Sequence, residues 1–232
     1  MSGKSDAIDA EAAARAVQAG TVLGQAKSQD SAVEMIRTLR VARRSAMQAR
    51  TQAANQLHAV VVTAPDELRD RVRRLPVAKL VETAVRLRPG VIGTLEAASK
   101  LALKSLAVRY RQLTEEIGAL DAEIERLAHQ AAPNLFGVKG IGPDTGAALL
   151  TAAGDNPDRL RSESAFAHMC GAAPIPASSG KTTRHRLNRG GNREANRALH
   201  MLAINRLSYD PHARAYAARR TAEGKSKREI IR

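Results

Sequence analysis

Eight apolar side chains, Leu103, Leu106, Tyr110, Leu113, Ile117, Leu120, Ile124 and Leu127, recur at steps of 3, 4, 3, 4, 3, 4 and 3 residues. A seam of that period runs along one side of an α-helix for about three and a half heptads, so another helix has to cover it along its length. Two partners meet the requirement: the segment from about Ser31 to Val62 folded back as an antiparallel hairpin, or the same helix in a second copy. The earlier segment carries Ile36, Leu39, Met47, Ala54, Leu57 and Val61 at helical spacing, with Arg43 and Arg50 interrupting the stripe.

Around this seam the chain is punctuated rather than repeated. An alanine-rich stretch from Asp6 to about Ala19 has no proline, which favours a helix that Gly20 ends. Pro65, Pro76 and Pro89-Gly90 break a shorter, poorly periodic region, and Pro133 stops the seam helix. Beyond it lies a glycine-rich region of short helical stretches, with a domain boundary expected near 130–134. Val60–Thr63 is the one short β-like run, so the expected fold is mainly α: a long coiled-coil helical hairpin followed by a compact helical domain.

Charge narrows the partner. The chain has 37 Lys+Arg against 23 Asp+Glu, a formal net charge of +14, which points to a polyanion and first of all to nucleic acid. The excess is concentrated: residues 181–232 hold 14 basic and 4 acidic side chains. Three Tyr, two Phe and no Trp argue against serial base stacking, leaving charge and backbone amides as the means of contact. A single cysteine, Cys170, excludes an internal disulfide framework or a Cys-rich zinc module, and its default role is core packing. No apolar run approaches the ~20 residues of a membrane span, and the first 25 residues lack a signal-peptide core, so the expected location is the cytoplasm, with no membrane partner.

Three segments carry candidate chemistry. Leu135 to Leu150 reads as a helix-hairpin-helix: Lys139, then Gly140 and Gly142 for a tight turn with positive φ, Ile141 tucked inward, and Pro143 early in the next helix. Free amides at that helix start suit a DNA phosphate, although an ordinary glycine-rich turn has the same residues. Downstream, Ser178-Ser179-Gly180-Lys181 opens a loop ringed by Lys181, Arg184, Arg186 and Arg189, and Arg193 and Arg197 form a basic ridge on the helix that follows. By residue type alone the loop reads first as a surface turn and the arginines as a solvated or phosphate-contacting face. At the other end, Asp6 and Asp9 stand three apart on one helical face, where they would complement the helix dipole or supply two ligands to a divalent cation. His185 and His200 have no partners at metal-ligand spacing.

Taken together, these segments resemble the Piv-type DEDD transposase/recombinase family of bacterial insertion sequences, a group associated with bridge-RNA-guided recombination. The resemblance covers nearly the whole chain and is strongest at Lys4–Ala10 and Phe136–Ala203. It implies a remnant of a RuvC-like domain over 1–30, a coiled-coil helical region over 31–132 that joins copies into a homo-oligomer, and a C-terminal transposase domain over 133–232. It also implies Asp6 and Asp9 as the last two carboxylates of a Mg²⁺-binding tetrad, and Ser179, or Ser178 of the same doublet, as a nucleophile forming a phosphoserine link to DNA. Gly140, Gly142, Lys139, Lys181, Arg184, Arg186, Arg189, Arg193 and Arg197 are the residues expected at DNA, with Gly191 and Asn192 matching a G-N element. Partners implied are DNA and a guide (bridge) RNA, at the bacterial nucleoid. The first Asp and the Glu of the tetrad have no counterpart here. The expectation is therefore a chain truncated at its N-terminus and also short at its C-terminus: a transposase, with an inactive DNA-binding and oligomerisation fragment as the alternative.

Overall fold

The computed structural model describes residues 6–20, 31–154, 160–177, 185–186 and 188–231. Its elements are almost all helical, beginning with the alanine-rich α1 (Asp6–Gln18), which stops at Gly20 with φ +66°. The long α2 (Ala32–Thr63) starts on Ser31, whose hydroxyl accepts the Val33 amide at 3.0 Å. The seam helix is α5 (Leu95–Ala131), capped by Thr94, whose hydroxyl accepts the Ala97 amide at 3.1 Å.

These two helices form an antiparallel hairpin within one chain. Ile36 near the start of α2 shares a buried cluster with Ile124, Leu127 and Ala128 near the end of α5. Leu57 and Val61 at the far end of α2 share another with Leu103 and Ala107. Between them the two arginines that interrupt the stripe find partners on α5. Arg43 is ion-paired with Asp121, and the Arg50 guanidinium lies 5.8 Å from the centre of the Tyr110 ring. Buried alanines at 46, 53, 107 and 128 let the helices approach closely along the seam.

The poorly periodic region caps the far end of the hairpin. Pro65 and Pro76 each sit immediately before a short helix, α3 (Asp66–Val72) and α4 (Val77–Val85), where a missing amide proton costs nothing. Leu68, Val72, Leu80, Val81, Ala84 and Leu87 join the Leu57–Leu103 cluster, so four helices meet in one core. The β-like run at Val60–Thr63 is helical, correcting the sequence expectation. Val61 continues the buried face one turn beyond Leu57, and this packing outweighs the β preference of the branched side chains.

Pro133 ends the hairpin and opens the one-turn α6 (Pro133–Phe136), followed by α7 (Pro143–Ala153) and α8 (Glu163–Met169). Two two-residue strands, β1 (Ile175–Pro176) and β2 (His185–Arg186), pair antiparallel in the register Ile175↔Arg186 and Pro176↔His185. The chain continues through α9 (Arg193–Tyr209), α10 (Pro211–Ala222) and α11 (Lys227–Ile231). Ala148, Leu149, Ala152, Cys170, Ala195 and Ala198 make the core of this second unit, with Cys170 fully buried as its sequence setting suggests. Ala147 of α7 packs instead into the Ile36–Ile124 cluster, which seats the unit on the base of the hairpin.

Candidate nucleic-acid interface

The turn between α6 and α7 is fixed from three sides. A Cβ on Gly146 would lie 2.6 Å from the Phe136 ring, so glycine there lets Phe136 pack flat on α7, and Phe136 also stacks on His129 at 4.1 Å between centroids. Ile141 points into the second core, as its place between two glycines suggests. Tyr209, the last residue of α9, donates its hydroxyl proton to the Lys139 carbonyl at 2.6 Å, while the Lys139 ammonium sits 4.3 Å from the centre of the same ring.

Gly140 has φ +97°, and a Cβ there would stand 2.8 Å from the Tyr209 hydroxyl. Gly142 differs from the sequence expectation: its φ is −92°, extended rather than left-handed. It serves as the N-cap residue of α7, and no side chain caps this helix start. Pro143 follows at the first helical position, where its missing N–H is no loss.

Ser178, Ser179, Lys181 and Arg184 lie outside the described residues, but both ends of their loop are anchored. The β1–β2 pair closes its stem. Below the stem two glycines cross: a Cβ on Gly191 would be 2.1 Å from the Gly171 nitrogen, so no side chain fits there. The Asn192 amide donates to the Met169 carbonyl at 2.7 Å, and the Asn192 side chain accepts the Glu194 and Ala195 amides at 3.0 and 3.1 Å, capping α9. Asn188 accepts the Gly190 amide at 2.9 Å, and Asn196 donates to the Cys170 carbonyl at 3.0 Å. The Gly191-Asn192 pair thus ties the loop's exit to the end of α8.

The arginines divide into two populations. Three of those on α2 are held by acids of other elements. Arg40, with 12% of its side chain exposed, binds Asp144 at 3.2 Å and Glu194 at 3.1 Å. Arg43 reaches Asp144 as well as Asp121, and Arg44 pairs with Glu194. Burial pulls the Arg40 guanidinium below its ordinary value, against the attraction of Asp144. Together these contacts lock the hairpin to the first turns of α7 and α9. By contrast Arg186, Arg189, Arg193 and Arg197 are exposed, and among the described residues none of them is in an ion pair. Arg193 and Arg197, expected as a basic ridge, are thus exposed on the first turns of α9 without an acid partner among the described residues. Sequence reasoning missed the α2 lock, Tyr209 and the α11 side chains described below. The only signal for the first was arginine recurring on an otherwise apolar stripe.

Asp6 and Asp9 fall on α1, Asp9 exposed, while the Asp6 side chain lies outside the described residues. Among the described residues no group of three His, Cys, Asp or Glu gathers where a metal would sit. A pair on one helical face supplies at most two of the six ligands of an octahedral Mg²⁺, so these residues alone do not fit a complete metal site. No described helix is long and apolar enough to cross a membrane.

Comparison with known proteins agrees with this layout. Residues 132–218 match the model described as Transposase IS116/IS110/IS902 family, and residues 1–64 match a transposase model of the DEDD IS110 type. The chain is 34% identical over 146 residues to the 43.6 kDa protein of insertion element IS110 from Streptomyces coelicolor, covering 62% of this chain and 35% of that protein. It is 31% identical over 129 residues to the 42 kDa protein of insertion element IS900 from Mycobacterium paratuberculosis, covering 54% and 32%. The matched part therefore spans about a third of the length of these relatives. With the two models together matching residues 1–64 and 132–218, the chain carries transposase domains of the IS110/IS116/IS902 insertion-element family.

Proposed function

We propose that this chain binds DNA through its C-terminal unit and acts there in strand exchange, with the Ser178-Ser179 loop delivering the nucleophile. The observation that carries the reading is the unpaired state of Arg186, Arg189, Arg193 and Arg197, together with an α7 start that no side chain caps, in a protein whose Arg40, Arg43 and Arg44 are held by internal acids. Unpaired surface cations cost nothing to transfer to a phosphate, whereas paired ones must first give up a carboxylate. The 137–142 turn serves as the duplex-phosphate contact, reading backbone rather than sequence.

In the proposed chemistry a serine Oγ forms a bond to phosphorus as the bond from phosphorus to a deoxyribose oxygen breaks, and the serine proton passes by way of solvent to that oxygen, which leaves as a hydroxyl. Attack by a hydroxyl of another strand reverses the step and frees the serine. The link conserves the bond energy, so rejoining needs no external energy source. A divalent cation, when bound at the family's carboxylates, would offset charge on the phosphate; Asp6 and Asp9 would contribute to it only together with ligands from elsewhere. The homo-oligomer, the domain limits at 30 and 132, and a guide RNA belong to the same proposal.

The test is a covalent-capture assay with labelled duplex DNA and Mg²⁺, in the parent chain and in Ser178→Ala and Ser179→Ala. Alkali-labile, denaturant-resistant protein–DNA adducts that disappear in one of the two variants are expected. Adducts surviving in both variants would remove the serine from the mechanism. Tight binding without any adduct in the parent chain would leave the DNA-binding and assembly reading in its place.

A further inference from the structure

Helix α9 works on two sides. Leu202 and Tyr209 support the 137–142 turn, whereas Asn196, Leu199, His200 and Ala203 line a cleft of about 1060 Å³. The other walls of the cleft are the 171–174 segment with Arg186 and Asn188 of the loop stem, and the α11 helix. We propose that this cleft is a binding site for a single nucleic-acid strand, distinct from the duplex contact at the turn. The inference rests on the reading of the C-terminal unit as a nucleic-acid surface.

Three properties of the cleft select an unpaired strand. Its rim is cationic from two separate elements: Arg186 on β2, and Lys227 and Arg228 on α11, none of them in an ion pair among the described residues. Glu229 of α11 also lines the cleft, and its carboxylate is engaged in a reciprocal cap, accepting the Ser226 amide at 2.9 Å and the Ser226 hydroxyl at 2.8 Å.

The floor is apolar, formed by Ala173, Pro174, Leu199 and Ala203. A duplex keeps its base faces stacked inside and offers such a floor only sugars and phosphates, whereas an unpaired strand has base faces to bury there. Its volume of about 1060 Å³ lies at the upper end of the ~300–1,000 Å³ of ligand pockets, room for about one or two unstacked nucleotides. Finally, Asn196 donates one amide N–H to the Cys170 carbonyl and its Oδ1 has no partner among the described residues, while His200 lines the same cleft. An acceptor and an imidazole at the edge of an apolar floor suit the exposed hydrogen-bonding edge of a base.

The experiment measures binding of the full chain to a fluorescent 20-nucleotide single strand, made once as DNA and once as RNA, and to a DNA duplex of the same sequence, across a salt series. Lys227→Glu/Arg228→Glu and, from a different element, Arg186→Glu are compared with the parent and with Lys139→Ala, with thermal melts to verify folding. The α11 pair is expected to weaken single-strand binding at least ~10-fold, to lower the salt slope by about 1.4 at ~0.7 per lost phosphate contact, and to leave duplex affinity within about twofold. Lys139→Ala is expected to do the reverse. Tighter binding of the DNA or of the RNA strand identifies the source of the ligand, and either result supports the site. Equal losses for single strand and duplex, or no loss in folded variants, overturn it. A parent chain that binds neither form overturns the underlying reading as well.

Discussion

Tyr209 shows how much a single side chain decides at the interface. Its ring carries the Lys139 ammonium and its hydroxyl holds the Lys139 carbonyl, so the turn's shape and its positive charge depend on one residue 70 positions away. Tyr209→Phe keeps the ring and removes one hydrogen bond, with an expected loss of about 1 kcal/mol in stability and a two- to fivefold weaker duplex affinity, read by thermal melts and fluorescence anisotropy. Unchanged affinity in this variant would mean that the turn is ordered without it. Asp210, buried at the start of α10, gives a pH-dependent counterpart. It accepts from the Arg206 Nε at 2.8 Å and from the His212 amide at 2.9 Å, and the Arg206 hydrogen bond holds its carboxyl below the usual carboxylate range. A depressed folded value stabilises above the unfolded value near ~4 and is lost as pH falls through the folded value. The melting-temperature gap between the parent and Asp210→Asn should accordingly be full at neutral pH and close below pH ~4; a gap independent of pH would contradict the assignment. Among the residues, the Gly140-Ile141-Gly142 turn was legible because glycine spacing and an inward apolar residue are local signals. That only Gly140 needs a positive φ, and that Gly191 must be bare because Gly171 crosses it, depend on contacts between segments distant in sequence.

At the scale of elements, the seam on α5 was readable because one period governs the whole helix, and its partner was not. Both an intramolecular hairpin and a second copy satisfy a heptad, and what decides between them is the pairing of Arg43 with Asp121 and of Arg50 with Tyr110 across the two helices. The α3–α4 segment escaped periodicity because helices of 7 and 9 residues between prolines are too short to establish a stripe. Their leucines and valines nevertheless meet Leu103, which is fully buried where α2, α3, α4 and α5 converge. Leu103→Ala is therefore expected to cost about 2–5 kcal/mol, measured by urea denaturation, while exposed Leu101→Ala one turn-face away should cost under ~0.5 kcal/mol. Similar losses at the two positions would place the core elsewhere.

Over the whole molecule the decisive feature is how charge is used rather than how much there is. The sequence already concentrates cations in its last quarter, but it cannot tell a cation held by a neighbouring carboxylate from one that is not, because Arg40 and Glu194 meet only through the fold. Folding holds Arg40, Arg43 and Arg44 of the hairpin on acids of other elements and leaves Arg186, Arg189, Arg193 and Arg197 of the C-terminal unit exposed, with no ion pair among the described residues. DNA duplex affinity as a function of salt tests the central claim, for the parent, for Arg189→Gln/Arg193→Gln/Arg197→Gln, and for a control that removes three cations from the ion-paired surface, Arg73→Gln/Lys79→Gln/Arg126→Gln. At ~0.9 per phosphate contact, the first set is expected to reduce the slope of log K against log salt by about 2 to 3 and the control to leave it within about 0.5. Equal reductions in the two sets, or a parent chain whose binding ignores salt, would contradict the central claim.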